Sequence, residues 1–302
     1  SRSFSDYRAA RQYVESLPDG PMWVKADGLA AGKGAIGCRG HADALNALDI
    51  ALVRRDLGAA GDTVVIEEEL RGWETSAHAF CDGRTALMMP FATDYKRAQD
   101  GDTGLNTGGM GAYSPSARVD AAVAATIRSE VVDPVMAGMA VEGTPFTGTL
   151  FPGIMVTAQG IHTLEFNARF GDPETQVLMA RLESDLFAIC EAAARGKLAG
   201  ADVCWSGEAA VGVVMASAGY PATYKIGYVI EGLEDVDADV LVFQAGTKLD
   251  ARGLVTSGGR VLTVVAKGPT VAAARAKAYD NVRRIRFADA YYRKDIAAGV
   301  GA

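Results

Sequence analysis

The sequence predicts a mixed α+β (α/β) enzyme of more than one domain, and three observations carry that expectation. Strand-like and helix-like segments alternate along the chain, the pattern of α/β and α+β enzymes. The 302 residues are about two domains' worth at roughly 150 residues each, enough to bury full cores without staples. Hydrophobic residues make up 49% and charged residues 22%, the balance of an ordinary globular protein rather than of a disordered one. The 35 glycines exceed the usual share of about 7% without a collagen period, so the excess belongs in turns and backbone-lined sites.

The elements follow in order. Residues 6–17 (DYRAARQYVESL) read as a short amphipathic helix, closed by the Pro18-Asp19-Gly20-Pro21 turn. Met22 to Lys25 read as a strand entering the glycine-rich stretch GLAAGKGAIGC (28–38), and residues 41–57 have helical spacing. Thr63 to Ile66 form a β-branched strand that runs into Glu67-Glu68-Glu69. Residues 75–93 read as a hairpin turning at Cys81-Asp82-Gly83, and 94–115 as a long irregular segment of the kind that carries function. A helix is expected over Ala121–Ala140, then strands 148–156 and 161–167 about a Gln159-Gly160 turn, then a helical run from Pro173 to Arg195. Strands dominate 209–265, and a last helix spans 271–286. A composition shift near 197–207 marks a domain boundary.

Several classes are excluded or disfavoured. A net charge of −7 argues against a general nucleic-acid binder but not against an anionic small-molecule substrate, which a local cluster of cations and backbone N–H groups can hold. The cysteines at 38, 81, 190 and 204 form no CxxC pair, and His41, His78 and His162 form no zinc motif. No apolar run approaches 18 residues, so no membrane partner is expected. The charged first segment (Arg2, Asp6, Arg8, Arg11, Glu15) is not a secretory signal, and a cytoplasmic location is expected.

Four segments carry chemistry. In GLAAGKG, the glycines Gly28, Gly32 and Gly34 would let backbone N–H groups approach phosphate oxygens, with Lys33 adding charge. The spacing is not that of a Walker A loop, and a plain hairpin turn competes. Lys25, inside an apolar strand at the mouth of that loop, needs an anionic partner. The three acids 67–69 repel one another and need a cationic or polar offset; from these residues alone, a solvated acidic turn is the stronger reading. Glu165 and Asn167 lie i, i+2 on a strand and share a face, with Phe166 expected in the core. Their oxygens suit Mg²⁺, and Arg169 on the same face could clamp a phosphoryl group, though an edge strand with a polar face competes. The 94–111 segment mixes Lys96 and Arg97 with acids and glycines, which suits a phosphorylated ligand and an amine.

In this order, VKADGLAAGKG (24–34), VVIEEEL (64–70), DYKRAQDGDTGLNTGGMGAYSP (94–115), GTLFPGIM (148–155) and EFNARFGDPETQ (165–176) resemble the ATP-grasp ligases. More narrowly they resemble the phosphoribosylamine–glycine ligase (glycinamide ribonucleotide synthetase) family, and GVVMASAGYP (212–221), QAGTK (244–248), SGGRVL (257–262) and YRKDI (292–296) extend the likeness over nearly the whole chain. The resemblance implies an ATP-grasp fold of two lobes plus a small mixed, β-rich C-terminal domain. The expected division is a lid subdomain over 1–66, a central subdomain over 67–203 and a C-terminal domain over 204–302. It implies ATP-dependent joining of glycine to 5-phosphoribosylamine, with ATP and Mg²⁺ or Mn²⁺ required. It also implies a further N-terminal domain, so that part of the substrate surface would lie outside these residues.

Carried over residue by residue, Lys25 and the Gly28, Gly32, Lys33, Gly34 loop would serve the phosphates, Glu67, Glu68 and Leu70 the adenine, and Glu74 the ribose. Glu165 and Asn167 would be the metal ligands, and Arg169, Lys96 and Arg97 the catalytic cations. Asp102, Thr103, Asn106, Thr107, Gly108, Gly109 and Met110 would face glycine and phosphoribosylamine. Tyr95 stands where the family usually has His, and Leu105 where it usually has Pro. Two other readings compete: an ATP-grasp ligase acting on a different acid or amine, against which the NTGGMGAYSP loop argues, and a nucleotide-binding module without catalysis.

Overall fold

The computed structural model describes residues 1–28, 30 and 34–300, and the chain divides into two compact units, Ser1–Arg71 and Gly72–Ala302.

In the first unit, strands Arg2–Phe4, Val64–Glu68, Met22–Ala26 and Ala35–Cys38 lie side by side in that order, all antiparallel. Alternation decides which face is covered: Met22, Val24, Val64 and Ile66 are buried with Ala10 and Val14 of helix Tyr7–Ser16 and Ala44, Ala47 and Leu48 of helix His41–Leu48. Asp6 caps the first helix by accepting from the Ala9 N–H at 2.9 Å. The helix expected over 41–57 is regular only to Leu48 and continues as a π-helical turn, Asp49–Val53.

The second unit holds two larger sheets. In one, Gly160–Asn167, Thr147–Thr157, Ala79–Asp82 and Ala86–Met88 are neighbours in that order, and Gly72–Ser76 also pairs with Thr147–Thr157. In the other, Leu241–Gln244, Arg260–Gly268, Ala209–Ser217, Gly111–Ser114 and Thr93–Asp94 follow one another, with Ala290–Tyr291 added to Ala209–Ser217. Every residue of Ala209–Ser217 is buried, because both faces are covered. Val211, Val213 and Met215 join Ala274 and Ala278 of helix Val271–Val282. Ala210 joins Val177 and Leu178 of helix Glu174–Arg181. The 94–115 segment is less irregular than its composition suggests: it contains the hairpin Arg97–Gln99/Thr103–Asn106 and the inner strand Gly111–Ser114.

Three expectations are corrected. The run from Pro173 to Arg195 is two helices, Glu174–Arg181 and Leu186–Ala194, because Leu182 leaves the helix to bridge Trp205 and Asp185 starts a new one by capping Phe187. The helix over 121–140 changes to π-helical at Arg128–Val132 before Asp133–Val141, where Pro134 sits in the first turn and can donate no backbone bond. Phe166 is 50% exposed rather than in the core. The pairing of Gly153 with Glu165 and of Ile154 with Thr163 leaves Leu164 as a bulge, and the in–out alternation is lost there.

Candidate active site

The strands place the predicted residues in two groups, one in each unit. In the first unit, Lys25 and Glu67 project from adjacent strands on the face opposite the core, and their ends meet at 2.6 Å. That pair answers both sequence-level demands, an anion for Lys25 and a cation for the acidic run. Glu68 ends its strand exposed, with Leu70 just beyond. A Cβ on Gly28 would lie 2.6 Å from Ala60 Cα, so the turn admits only glycine; its N–H donates to Ala60 O at 3.1 Å. Gly34 accepts from the Ala26 N–H at 2.8 Å and closes the base of the loop. Gly32 and Lys33 lie outside the described residues.

In the second unit, Lys96 Nζ donates to Glu74 Oε2 at 2.7 Å. Burial lowers the tendency of Lys96 to hold its proton. Glu74, with Asp94 and Glu165 behind it, more than reverses this, and the ammonium is held above its ordinary range. Asp94 is offered by the sequence only as one of several acids in the 94–111 loop. Its Oδ1 is buried without a partner among the described residues. Burial first, and Glu174 second, push its carboxyl well above the usual carboxylate range. Glu174 is itself raised by burial while accepting from Ser76 Oγ at 2.8 Å. His78 is fully buried, stacked 4.1 Å from the Phe151 ring. Burial, then the charge of Arg169, lower it to about 3. Its Nε2 faces the Gly171 N–H at 3.2 Å, so the neutral ring keeps its proton on Nδ1.

Asn167 Nδ2 lies 3.2 Å from Glu165 Oε1, so the two side chains do share a face. A half-turn of the amide exchanges its N and O and offers two hard oxygens to a cation. Among the described residues no group of three or more His, Cys, Asp or Glu could hold a metal, so any cation here relies on this pair and on ligand oxygens. Arg169 is exposed, with one bond to Phe170 O at 3.0 Å, and keeps donors to spare.

The loop with Lys96 and Arg97 is held from several sides. The Thr107 N–H and Oγ1 both donate to Lys96 O at 2.8 Å, and Thr107 Oγ1 accepts from Gly109 N at 2.9 Å. The Gly108 N–H donates to Tyr220 OH at 3.1 Å. Arg260 donates to Gly108 O at 2.7 Å and to Asp172 Oδ2 at 2.9 Å, joining this loop to the 171–173 turn. Gly109 has φ +110°, and a Cβ there would sit 2.3 Å from Pro173 Cδ and 2.7 Å from Asp94 Oδ1. Met110 is wholly buried, with its N–H given to Tyr95 O and its carbonyl to the Val214 N–H, so it offers no free polar group. Asp102 Oδ1 is engaged by Arg293 at 3.0 Å, Thr103 Oγ1 bonds Asp100 O at 2.9 Å, and Asn106 is exposed.

Known proteins share this arrangement of sequence and fold. Residues 1–175 match the sequence profile described as "Phosphoribosylglycinamide synthetase, ATP-grasp (A) domain", and residues 210–299 match the C domain of the same synthetase. The phosphoribosylamine–glycine ligase of Rhizobium meliloti is 46% identical over 295 residues, covering 98% of this chain and 69% of that protein. The chain belongs to the phosphoribosylglycinamide synthetase family. The crystal structure of phosphoribosylamine–glycine ligase from Thermotoga maritima superposes with a TM-score of 0.89 at 34% identity, covering 98% of this chain and 73% of that one. The biotin carboxylase domain of the Hydrogenobacter thermophilus 2-oxoglutarate carboxylase, at 12% identity and a TM-score of 0.70, shares the fold alone; it covers 95% of this chain and 61% of that one. Membership of this synthetase family makes the chain an ATP-grasp, ATP-dependent ligase of purine synthesis that uses a divalent metal. No helix among the described residues is long and apolar enough to cross a membrane.

Sequence reasoning missed the buried polar groups behind Lys96. Glu174 sits inside the EFNARFGDPETQ stretch with no role of its own, and Asp94 opens DYKR only as one of the loop's acids suited to an amine. His78 carries no sequence signal; only its burial against Phe151 and Gly171 exposes it.

Proposed function

We propose that this chain ligates glycine to 5-phosphoribosylamine at the expense of ATP, giving glycinamide ribonucleotide, ADP and phosphate. A carboxylate oxygen of glycine attacks the γ-phosphorus of ATP, and ADP leaves. The amine nitrogen of phosphoribosylamine then attacks the carbonyl carbon of the glycyl phosphate. The C–O bond to phosphate breaks, and the nitrogen gives up a proton. The observation that carries this reading is the 94–111 loop, which sets Lys96 against Glu74 within one acidic bed that includes Glu165.

In residues 72–302, Glu165 and Asn167 would hold the cation, Mg²⁺ in the first place and Mn²⁺ as the alternative with the same preference for oxygen. When bound, the cation would neutralise phosphate charge. Arg169, with unused donors beside that pair, would hold the transferring phosphoryl group, and Lys96 and Arg97 would orient the anionic substrates. Glu74 would accept from the ribose hydroxyls once Lys96 turns to the phosphate. Asp102, Thr103, Asn106 and the 107–109 turn would present the amine-bearing substrates. In residues 1–71, Lys25 would leave Glu67 for the nucleotide phosphates. The 28–34 loop would cover those phosphates, and the backbone at Glu67, Glu68 and Leu70 would meet the adenine.

The test is phosphate release from Mg²⁺–ATP, with glycine and phosphoribosylamine supplied separately and together, and with mass detection of the product. Release coupled to glycinamide ribonucleotide only when both are present supports the reading. Equal release with a different acid or amine, or product without ATP cleavage, overturns it.

A further inference from the structure

Residues 291–297 run against the loop that carries Lys96 and Arg97, and one side chain ties the two together. Arg293 is 1% exposed. Its Nε and Nη2 donate to the two oxygens of Asp295, at 2.8 and 2.7 Å. Its Nη1 donates to Arg97 O and to Asp102 Oδ1, both at 3.0 Å, and its guanidinium carbon stands 4.9 Å from the Tyr95 ring centre. The same segment gives the loop further bonds. Asp295 Oδ2 accepts from the Gly101 N–H at 2.8 Å, the Lys294 N–H donates to Asp100 Oδ1 at 2.7 Å, and Tyr291 OH donates to Ala98 O at 2.8 Å.

What these bonds hold is a turn in an uncommon conformation. Gly101, Asp102 and Gly104 all have positive φ, and Asp102, at +58°, has a side chain to accommodate there. A non-glycine residue in that region costs free energy and persists where its surroundings fix it. The buried cation supplies that fixing. A guanidinium has five donors in a rigid fork, and this one spends four of them on two carboxylates and one carbonyl. An ordinary surface hairpin needs no such anchor, and this hairpin starts at Arg97.

We propose that Arg293 is a positioning residue for the ligation: it fixes the backbone at Arg97 and the 100–102 turn, so that Lys96 and Arg97 present their charges to the substrates in a single geometry. The proposal rests on the substrate role given above to the 94–111 loop. It places a residue near the end of the described chain in control of charges almost 200 positions earlier, through contact rather than through chemistry of its own.

The test compares Arg293→Met, Arg293→Lys, Asp102→Asn and Lys96→Met in the full chain. It measures kcat, the KM of each of the three substrates, thermal unfolding, and hydrogen exchange at Gly101. Arg293→Met should fold and keep the KM for ATP within about twofold, while kcat falls on the order of 10- to 100-fold, the size expected for misplaced reacting groups. Arg293→Lys should recover part of the loss, and Asp102→Asn should show a smaller fall with faster exchange at Gly101. An unchanged kcat in a folded Arg293→Met overturns the proposal, as does a loss of ATP binding in step with kcat, which a merely structural role would give. If Arg293→Met does not fold, hydrogen exchange in Asp102→Asn decides, because Asp102 is itself placed at the substrates: unchanged exchange at Gly101 counts against the tether, and faster exchange there supports it. Lys96→Met separates the two layers. Wild-type rates there sink the loop's substrate role and this proposal together, whereas a crippled Lys96→Met beside a fully active Arg293→Met sinks only the positioning.

Discussion

Lys25 and Lys96 each rest on a carboxylate that the family resemblance assigns to the nucleotide, Glu67 and Glu74 respectively. A cation already paired costs little to keep at a half-buried site, and it can be handed to a phosphate without first being desolvated. Glu165 and Asn167 stand ready in the same sense, two oxygen-bearing groups 3.2 Å apart. Glu165→Gln or Asn167→Ala should leave the fold intact and lower activity about 100-fold or more at limiting Mg²⁺, with partial recovery at high Mg²⁺; a magnesium titration of turnover checks this. His78 makes a prediction about acid. Its imidazole sits at about 3 when folded because burial, then Arg169, oppose the charge, while the unfolded chain takes up a proton near 6.5. The unfolded state therefore binds more protons between those values, and stability falls as pH drops through that window. From pH 7.5 to 5 this one group should cost about 2 kcal/mol. Urea denaturation of His78→Gln, which keeps an acceptor for Gly171 but cannot ionise, should lack that part of the loss. Asp94 has the opposite sign. Its raised carboxyl binds a proton more readily folded than unfolded, so it lowers stability as pH rises above the ordinary carboxylate range. Asp94→Asn should therefore raise the Tm at pH 8 while lowering kcat, the pattern of a group retained for function.

At the level of elements, much was legible because periodicity and turn chemistry are local. The strand expected at 22–25 is Met22–Ala26, the helix at 6–17 is Tyr7–Ser16, and the Gln159-Gly160 turn sits where two long strands meet. Two of the failures share a cause, a tertiary neighbour that overrides the local pattern. Phe166 leaves the alternation because Leu164 bulges against the next strand, and the helix from 174 stops because Leu182 finds Trp205. The Glu165–Asn167 pair could be read from i, i+2 spacing alone. The cluster of Asp94, Glu174 and His78 could not, since burial brings it together from residues up to 96 positions apart. Gly109 belongs with the second kind. Its positive φ and the nearness of Pro173 and Asp94 leave no room for a methyl group. Gly109→Ala should lower the Tm, by a strain of about 1–3 kcal/mol, and reduce kcat more than the KM for ATP; calorimetry and steady-state kinetics together check both.

At the scale of the molecule, Ser1–Arg71 and Gly72–Ala302 each bury a core of their own. The smaller one rests on a four-stranded sheet and two short helices. A unit of that size buries a smaller fraction of its surface than one of more than 200 residues, and is correspondingly marginal. Scanning calorimetry should resolve a first, smaller transition for residues 1–71, and limited proteolysis should cut near Arg71 before the larger unit opens. A single transition with no early cut would show that the two unfold as one. The family could be read from motifs spread over both units. The extent to which strands from distant parts of the chain share one sheet could not, because no local pattern encodes which strands become neighbours.

Ala209–Ser217 sits at the middle of that sheet, and its partners are far apart in the chain: Gly111–Ser114 about a hundred residues before it and Arg260–Gly268 about fifty after. During synthesis the segment leaves the ribosome well before its second partner exists. It carries no charge and no proline, and its β-branched valines suit a strand that pairs with copies of itself. The burial that makes it a floor for the native sheet thus makes it a hazard while folding is incomplete. Refolding yield should drop steeply with protein concentration and recover when a chaperone that shields exposed apolar segments is supplied.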